Sequence, residues 1–182
     1  MIGRHIRSLG PAAILAAAIT LVPAAQLAAG ARPVWTELAW RFPIDQWGIG
    51  KAFRCRARDC GRDVDIYLRA KIGFCNCTTG IADDDELARV ADFDLFGDRP
   101  IALAPGRAVR VRTIAGRSRL YAILDPSARE RTMLTIGLNR GCDALVATVL
   151  VERGTPAELE PAVLEFLDSD TVARWTAMTL GR

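Results

Sequence analysis

The alternation of apolar and polar residues is sharpest between positions 63 and 74. Val64, Ile66, Leu68, Ala70, Ile72 and Phe74 fall on one side of an extended chain, and Asp63, Asp65, Tyr67, Arg69, Lys71 and Gly73 on the other. A period of two predicts a β-strand with one face on a core and one toward solvent. Four later segments, "RAVRVRTIAG", "SRLYAIL", "RTMLTIGL" and "DALVATVLVE", carry the β-branched and apolar residues of strands and are separated by turn residues. "NRG", Asn139 to Gly141, marks a hairpin turn before the last of them. "LVATVLV" is apolar on both faces, which places it centrally in a sheet, covered on both sides.

The helical signals sit elsewhere. Asp83 followed by Glu86 has capping-box spacing, and the acids of "DDDE" suit the positive end of a helix dipole better than a calcium loop, which needs spaced ligands and a turn glycine. Thr155 and Glu158, with Pro156 between them, mark another helix start, for which Pro161 is the alternative. Ser169 or Asp170 caps a last helix. The segment "RPVWTELAWRFPIDQWGIGKAF" reads as an irregular arm whose Trp35, Trp40 and Trp47 pack onto the domain. This order predicts an α+β domain, an antiparallel sheet of about five strands with helices packed on one face.

The first 31 residues belong to a different pattern. Arg4, His5 and Arg7 precede an apolar run bracketed by Pro11 and Pro23, too short to favour a membrane span, and the small residues Ala29 and Ala31 lie just before Arg32. We read residues 1–31 as a cleaved signal peptide and residues 32–182 as a single disulfide-stabilised domain, periplasmic or secreted, with no transmembrane span after cleavage. Removing 31 of the 182 residues leaves 151, enough for one hydrophobic core. It also leaves 22 basic residues against 21 acidic ones, a formal charge of +1. That balance gives no footing for a nucleic-acid partner. A periplasmic protein or an anionic ligand is the expected partner. Arginine outnumbers lysine 22 to 2, the signature of a GC-rich bacterial gene.

His5 is the single histidine, and it lies in the leader. Residues 32–182 therefore cannot build from their own side chains a Ser-His-Asp triad, a Cys-His pair, an HExxH zinc site or an imidazole-ligated haem. Cys55, Cys60, Cys75, Cys77 and Cys142 all lie beyond the leader. The first four form the pattern C-x4-C-x14-C-x-C. Four thiolates could hold zinc, or a subset copper, but the spacing fits neither a zinc knuckle nor an iron–sulfur motif. A redox centre of the C-x-x-C type is absent, although Lys71 could stabilise a thiolate of the C-x-C pair. Export makes disulfides the default; two bridges among five cysteines allow fifteen arrangements that the sequence does not decide between, with Cys55–Cys60 across a short loop and Cys75 or Cys77 with Cys142 as candidates and one cysteine remaining over.

Two charged groupings complete the candidates. Lys51, Arg54, Arg56, Arg58 and Arg62 form a possible anion or partner patch, with Asp59, Asp63 and Asp65 close enough in sequence to neutralise it. Asp63 and Asp65 share a strand face at a spacing open to paired-carboxylate hydrolysis, but ordinary solvent-face polarity accounts for them. These features predict an exported non-enzymatic interaction or structural module with no cofactor. The alternative is a soft-metal-binding (zinc or copper) or thiol-redox protein using Cys55, Cys60, Cys75 and Cys77. A C-terminally tagged full-length chain expressed in a bacterium should appear in the periplasm shortened by about 31 residues; intact N-terminal peptide in the membrane fraction would sink this assignment.

Overall fold

The computed structural model describes residues 33–74, 76–151 and 156–180. The leader, Thr155 of the expected capping box, and Cys75 lie outside the described residues.

Eight strands form one antiparallel sheet: β1 (Trp35–Leu38), β2 (Lys51–Cys55), β3 (Val64–Lys71), β4 (Asp98–Ala102), β5 (Arg107–Val111), β6 (Ile114–Leu124), β7 (Glu130–Arg140) and β8 (Asp143–Val151). Their spatial order is β1-β2-β3-β8-β7-β6-β4, and β5 also pairs with β6. The eleven-residue β6 is long enough to divide its outer edge, with β5 along Ile114–Ser118 and β4 along Tyr121–Leu124. The doubly apolar β8 is central, between β3 and β7, as its composition requires. Its hairpin with β7 turns at Gly141 and Cys142, with Gly141 in the left-handed region at φ 61°.

Helices cover both faces. On the first, α4 (Glu160–Leu167) and α5 (Asp170–Thr179) lay Val163, Phe166 and Val172 over Phe53, Ile66, Leu68, Leu134 and Val149. Pro156–Leu159 is a 3-10 turn, and α4 begins at Glu160 with Pro161 in its first turn, the second of the two starts weighed. Ser169 caps α5, its Oγ accepting from Val172 N at 3.4 Å. On the other face, α2 (Asp84–Val90) follows its Asp83 cap, which accepts from Glu86 N at 2.8 Å. Seven residues are far too few for a helix that persists alone. Leu87 and Val90, each 0% exposed, anchor it through burial of roughly 1.5–3 kcal/mol apiece. Gly137 on β7 makes room for this: a Cβ there would lie 2.8 Å from Ile81 Cδ1 and 2.9 Å from Leu87 Cδ1. The single-turn α3 (Phe93–Phe96) and the aromatic arm cover the rest of this face, with Trp40, Phe42 and Phe96 around Tyr67.

The α+β class and an antiparallel sheet with helices packed against it are those the pattern predicts, but the helices cover both faces and not the one expected, α4 and α5 lying on one and α2 and α3 on the other. The sheet exceeds the expected five strands because β1, β2 and β4 are short and lack strong alternation. The arm is not wholly irregular: Trp35–Leu38 pairs with Lys51–Cys55 as an edge hairpin, and Trp35 stacks on Phe166 at 4.6 Å. The other edge is irregular. β4 is exposed throughout, its register shifts between Asp98 and Ile101, Arg99 adopts φ 52°, and Pro100 has no amide hydrogen to offer.

The expected course of β3 is also overturned. β3 stops at Lys71 instead of running to Phe74, because Gly73 turns the chain at φ 66° and its amide donates to Asp143 Oδ1 at 2.8 Å. Ile72 is consequently 62% exposed, and Phe74 packs with Ile81 and Leu87 under α2. Cys77 is therefore not on the strand.

Two disulfides staple the sheet, Cys55–Cys60 and Cys77–Cys142, with sequence separations of 5 and 65. The first spans α1 (Ala57–Cys60), a single turn between β2 and β3. If their main effect is to restrict the unfolded chain, closing the short loop contributes about 2 kcal/mol and closing the long one about 4 kcal/mol. Cys142→Ser should therefore lower the urea midpoint about twice as much as Cys60→Ser; equal losses would refute the unfolded-chain account, and no loss in either variant would refute the pairing.

Candidate functional site

β3 places Arg69 and Lys71 two residues apart on one face, and that face is not open to solvent: Arg69 is 2% and Lys71 4% exposed. Two carboxylates meet them. Asp92 Oδ1 accepts from Lys71 Nζ at 2.8 Å and from Arg69 Nη1 at 3.0 Å. Asp92 occupies the N-cap position of α3, where a carboxylate ordinarily accepts from helix amides. Here it makes no side-chain cap and is turned to β3 instead. The second carboxylate, Asp45, comes from the arm and binds Arg69 Nη2.

The arm reaches this point through a tight turn. Gly48 N donates to Asp45 O at 2.9 Å and Trp47 N to Asp45 Oδ1 at 2.8 Å, with Gly48 left-handed at φ 73°. Gly50 then lets the backbone lie directly against β3, since a Cβ would stand 2.4 Å from Leu68 O and 2.6 Å from the Trp40 ring. Trp47 so arrives edge-on to Phe74, ring centroids 4.7 Å apart, with Lys71 Nζ 5.6 Å from the Trp47 centroid and 5.3 Å from that of Phe74. Arg89 of α2 fixes Phe74 by donating to its carbonyl at 2.8 Å. Together Asp45, Trp47, Arg69, Lys71, Asp92 and Asp94 line an open cleft of about 360 Å³.

The electrostatics of the two carboxylates differ. Burial raises the Asp92 carboxyl above its ordinary range, against the opposing pull of the Lys71 ammonium and the Arg69 guanidinium. Burial also works to raise Asp45, but hydrogen bonds from Arg69 and from the Trp47 amide outweigh it and hold that group low. Asp45 thus stabilises the fold above the usual carboxylate range, and this contribution is lost as pH falls through its lowered pKa. Arg69 Nε is buried with no hydrogen-bond partner among the described residues.

The residues singled out from sequence are distributed otherwise. Alternation puts Lys51 on the α4 face with Phe53, where it pairs with Glu37, and puts Arg54 on the opposite face, where its fork binds Asp65 at 2.5 and 2.6 Å. Arg56 pairs with Asp63 at 3.7 Å, Arg58 with Asp59 at 3.3 Å and Arg62 with Glu158 at 3.0 Å. Each member of the basic run is thus matched to an acid. Asp63 is occupied further in accepting from Ala57 N at 2.8 Å, so Asp63 and Asp65 serve two separate structural bonds.

The described cysteines do not assemble the expected zinc or copper cluster. Cys55 is bonded to Cys60 and lies opposite Val64, where β3 begins; Cys142, bonded to Cys77, precedes the residues that pair with Lys71, where β3 ends. Eight residues of strand separate the two ends by about 23 Å. Among the described residues, no group of three or more His, Cys, Asp or Glu side chains could hold a metal ion. The alternation of β3 did pair Arg69 with Lys71, but nothing local marked Asp45 or Asp92 as their partners, which lie 24 and 23 residues away from Arg69.

The fold and cleft define a disulfide-stapled α+β domain with a buried, mixed-charge site beneath an aromatic pair. No family model and no curated protein matches the chain. It is similar to the crystal structure of a protein of unknown function, PA94 from Pseudomonas aeruginosa, at 12% identity and a TM-score of 0.41, over 78% of this chain and 85% of that one. Among the described residues, no helix is long and apolar enough to cross a membrane.

Removing one partner from a buried ion cluster strands the others. Asp92→Asn is expected to cost about 3–5 kcal/mol in urea unfolding, and Lys71→Met on that background should restore part of the loss, leaving Arg69 with Asp45. Additive losses in the double variant would show that the cluster is not a coupled unit.

Proposed function

We propose that this chain is an exported, non-enzymatic binding domain, and that the cleft between the arm and β3 receives a small ligand or chain segment carrying a carboxylate next to a flat or apolar group. The observation that supports this reading is that two cations, Arg69 and Lys71, are nearly fully buried yet line an open cleft. A buried ion pair adds little stability over an apolar pair of similar volume, so its presence in a cleft favours a binding role. Asp45 belongs to the exposed rim, its side chain 36% accessible, and it holds the Arg69 guanidinium. An incoming carboxylate would take that position and make the paired hydrogen bonds that arginine is shaped to give. Trp47 offers the adjoining ring face. Export rests on the leader residues Arg4 to Ala31.

Phenylacetate serves as the probe, with 2-phenylethanol and 2-phenylethylamine as neutral and cationic controls, binding being read by tryptophan fluorescence and calorimetry. Phenylacetate should bind more tightly than either control, Asp45→Asn should strengthen it by about tenfold by freeing Arg69, and Trp47→Ala should weaken it by a similar factor. Equal binding of all three compounds, or indifference to both substitutions, would overturn the reading.

A further inference from the structure

A second cavity lies at the far end of the other face, independent of the cleft. The β5–β6 hairpin turn, the end of the β7–β8 hairpin and α5 enclose about 350 Å³. Val111, Ile114, Leu138, Leu145 and Leu167 supply its apolar wall. Four of these, Val111, Leu138, Leu145 and Leu167, belong to the main core, so the cavity opens at the surface and its floor is that core. Interiors normally close-pack. This one stays open because α5 presents Ala173, Thr176 and Ala177 to it where larger apolar side chains would fill the space.

Two polar features point to what fills it. Thr176 is 7% exposed, and its Oγ1 has no hydrogen-bond partner among the described residues. The comparison within the same helix is direct: Thr179 Oγ1 donates back to Trp175 O at 2.9 Å, the usual resort of a helical threonine, and Thr176 does not. A buried hydroxyl left unpaired costs free energy that a ligand oxygen would recover. The second feature is charge. Of the two guanidinium groups lining the cavity, Arg112 is committed to Asp168 and Asp170 at 2.9 Å each, across to the α4–α5 junction. The guanidinium of Arg140, exposed on the β7–β8 hairpin, has no hydrogen bond or ion pair among the described residues. One uncommitted cation at the rim and one unpaired hydroxyl in an apolar chamber match a monoanion with a hydrocarbon tail. At about 30 Å³ per water-sized group, the chamber holds roughly ten non-hydrogen atoms.

We propose that this cavity is a binding site for a medium-chain monocarboxylate, a fatty-acid-like amphiphile of about the size of octanoate, its tail against the Leu138–Leu145–Leu167 wall and its carboxylate between Arg140 and Thr176. The site would take its ligand without any contribution from Arg69 or Lys71.

The test is calorimetric titration of the purified full chain with octanoate, octan-1-ol and octylamine. Octanoate should bind saturably and at least about tenfold more tightly than the other two. Ala177→Trp, which fills the chamber from α5, should abolish octanoate binding while leaving the melting temperature unchanged or raised. Thr176→Val, which keeps the shape and removes the hydroxyl, and Arg140→Glu should each weaken octanoate by about tenfold, and Arg140→Glu should leave octan-1-ol unaffected. Trp47→Ala should change nothing here, which separates this site from the cleft. No saturable octanoate binding, octanoate binding that survives both Ala177→Trp and Thr176→Val, octan-1-ol binding as tightly as octanoate, or loss of octanoate in Trp47→Ala would each overturn the proposal.

Discussion

The structure depends on one constraint, that both faces of the sheet are covered. A half-exposed sheet could leave Arg69 and Lys71 in water at no cost. Once α2, α3 and the aromatic arm close over that face, two cations must be paired or the fold loses several kcal/mol for each. Asp92 and Asp45 meet that demand from opposite sides, one from the α2–α3 junction and one from the arm turn. The ion cluster is therefore also what aligns the cover: the arm cannot shift along β3 without parting Asp45 from Arg69, and α3 cannot shift without parting Asp92 from Lys71. The same cover creates the cleft, because Trp47 and Phe74 bridge above Lys71 and do not pack flat on the sheet.

Much of the sheet was legible. The central strands announced themselves through apolar content, the α2 cap through Asp83 and Glu86, and the α5 cap through Ser169. What failed was the sense of the β3 faces. Alternation separates two sets of side chains but does not say that the polar set looks at solvent; that inference assumes an uncovered sheet. Arg69 and Lys71 carry ordinary surface chemistry, and their burial is decided by Asp45 and Asp92, whose contact with them is a tertiary event without local signature. β1 and β2 were hidden for a related reason. Four- and five-residue strands, WTEL and KAFRC, have too little pattern to stand out, and pairing, not propensity, makes them extended.

The cysteines show the opposite balance. Sequence separation alone made Cys55–Cys60 reasonable, and the hairpin glycine before Cys142 made that residue accessible to the segment after β3. The two bridges close opposite ends of β3, which is why thiols near in sequence do not converge on a metal. The basic run from Lys51 to Arg62 is similarly dispersed. Five cations in twelve residues look like a patch on paper, yet strand alternation sends Lys51 and Arg54 to opposite faces, the other three lie between β2 and β3, and each meets a carboxylate.

The irregular β4 edge has a consequence for colloidal behaviour. The formal charge is only +3 over the whole chain and +1 over positions 32–182, so electrostatic self-repulsion between copies is weak. The outermost strand opposite β1 is unfit for templating instead: Pro100 withholds a donor, Arg99 bends out in the left-handed region, and the register breaks between Asp98 and Ile101. Straightening that edge would remove the features that keep it from templating a neighbouring strand.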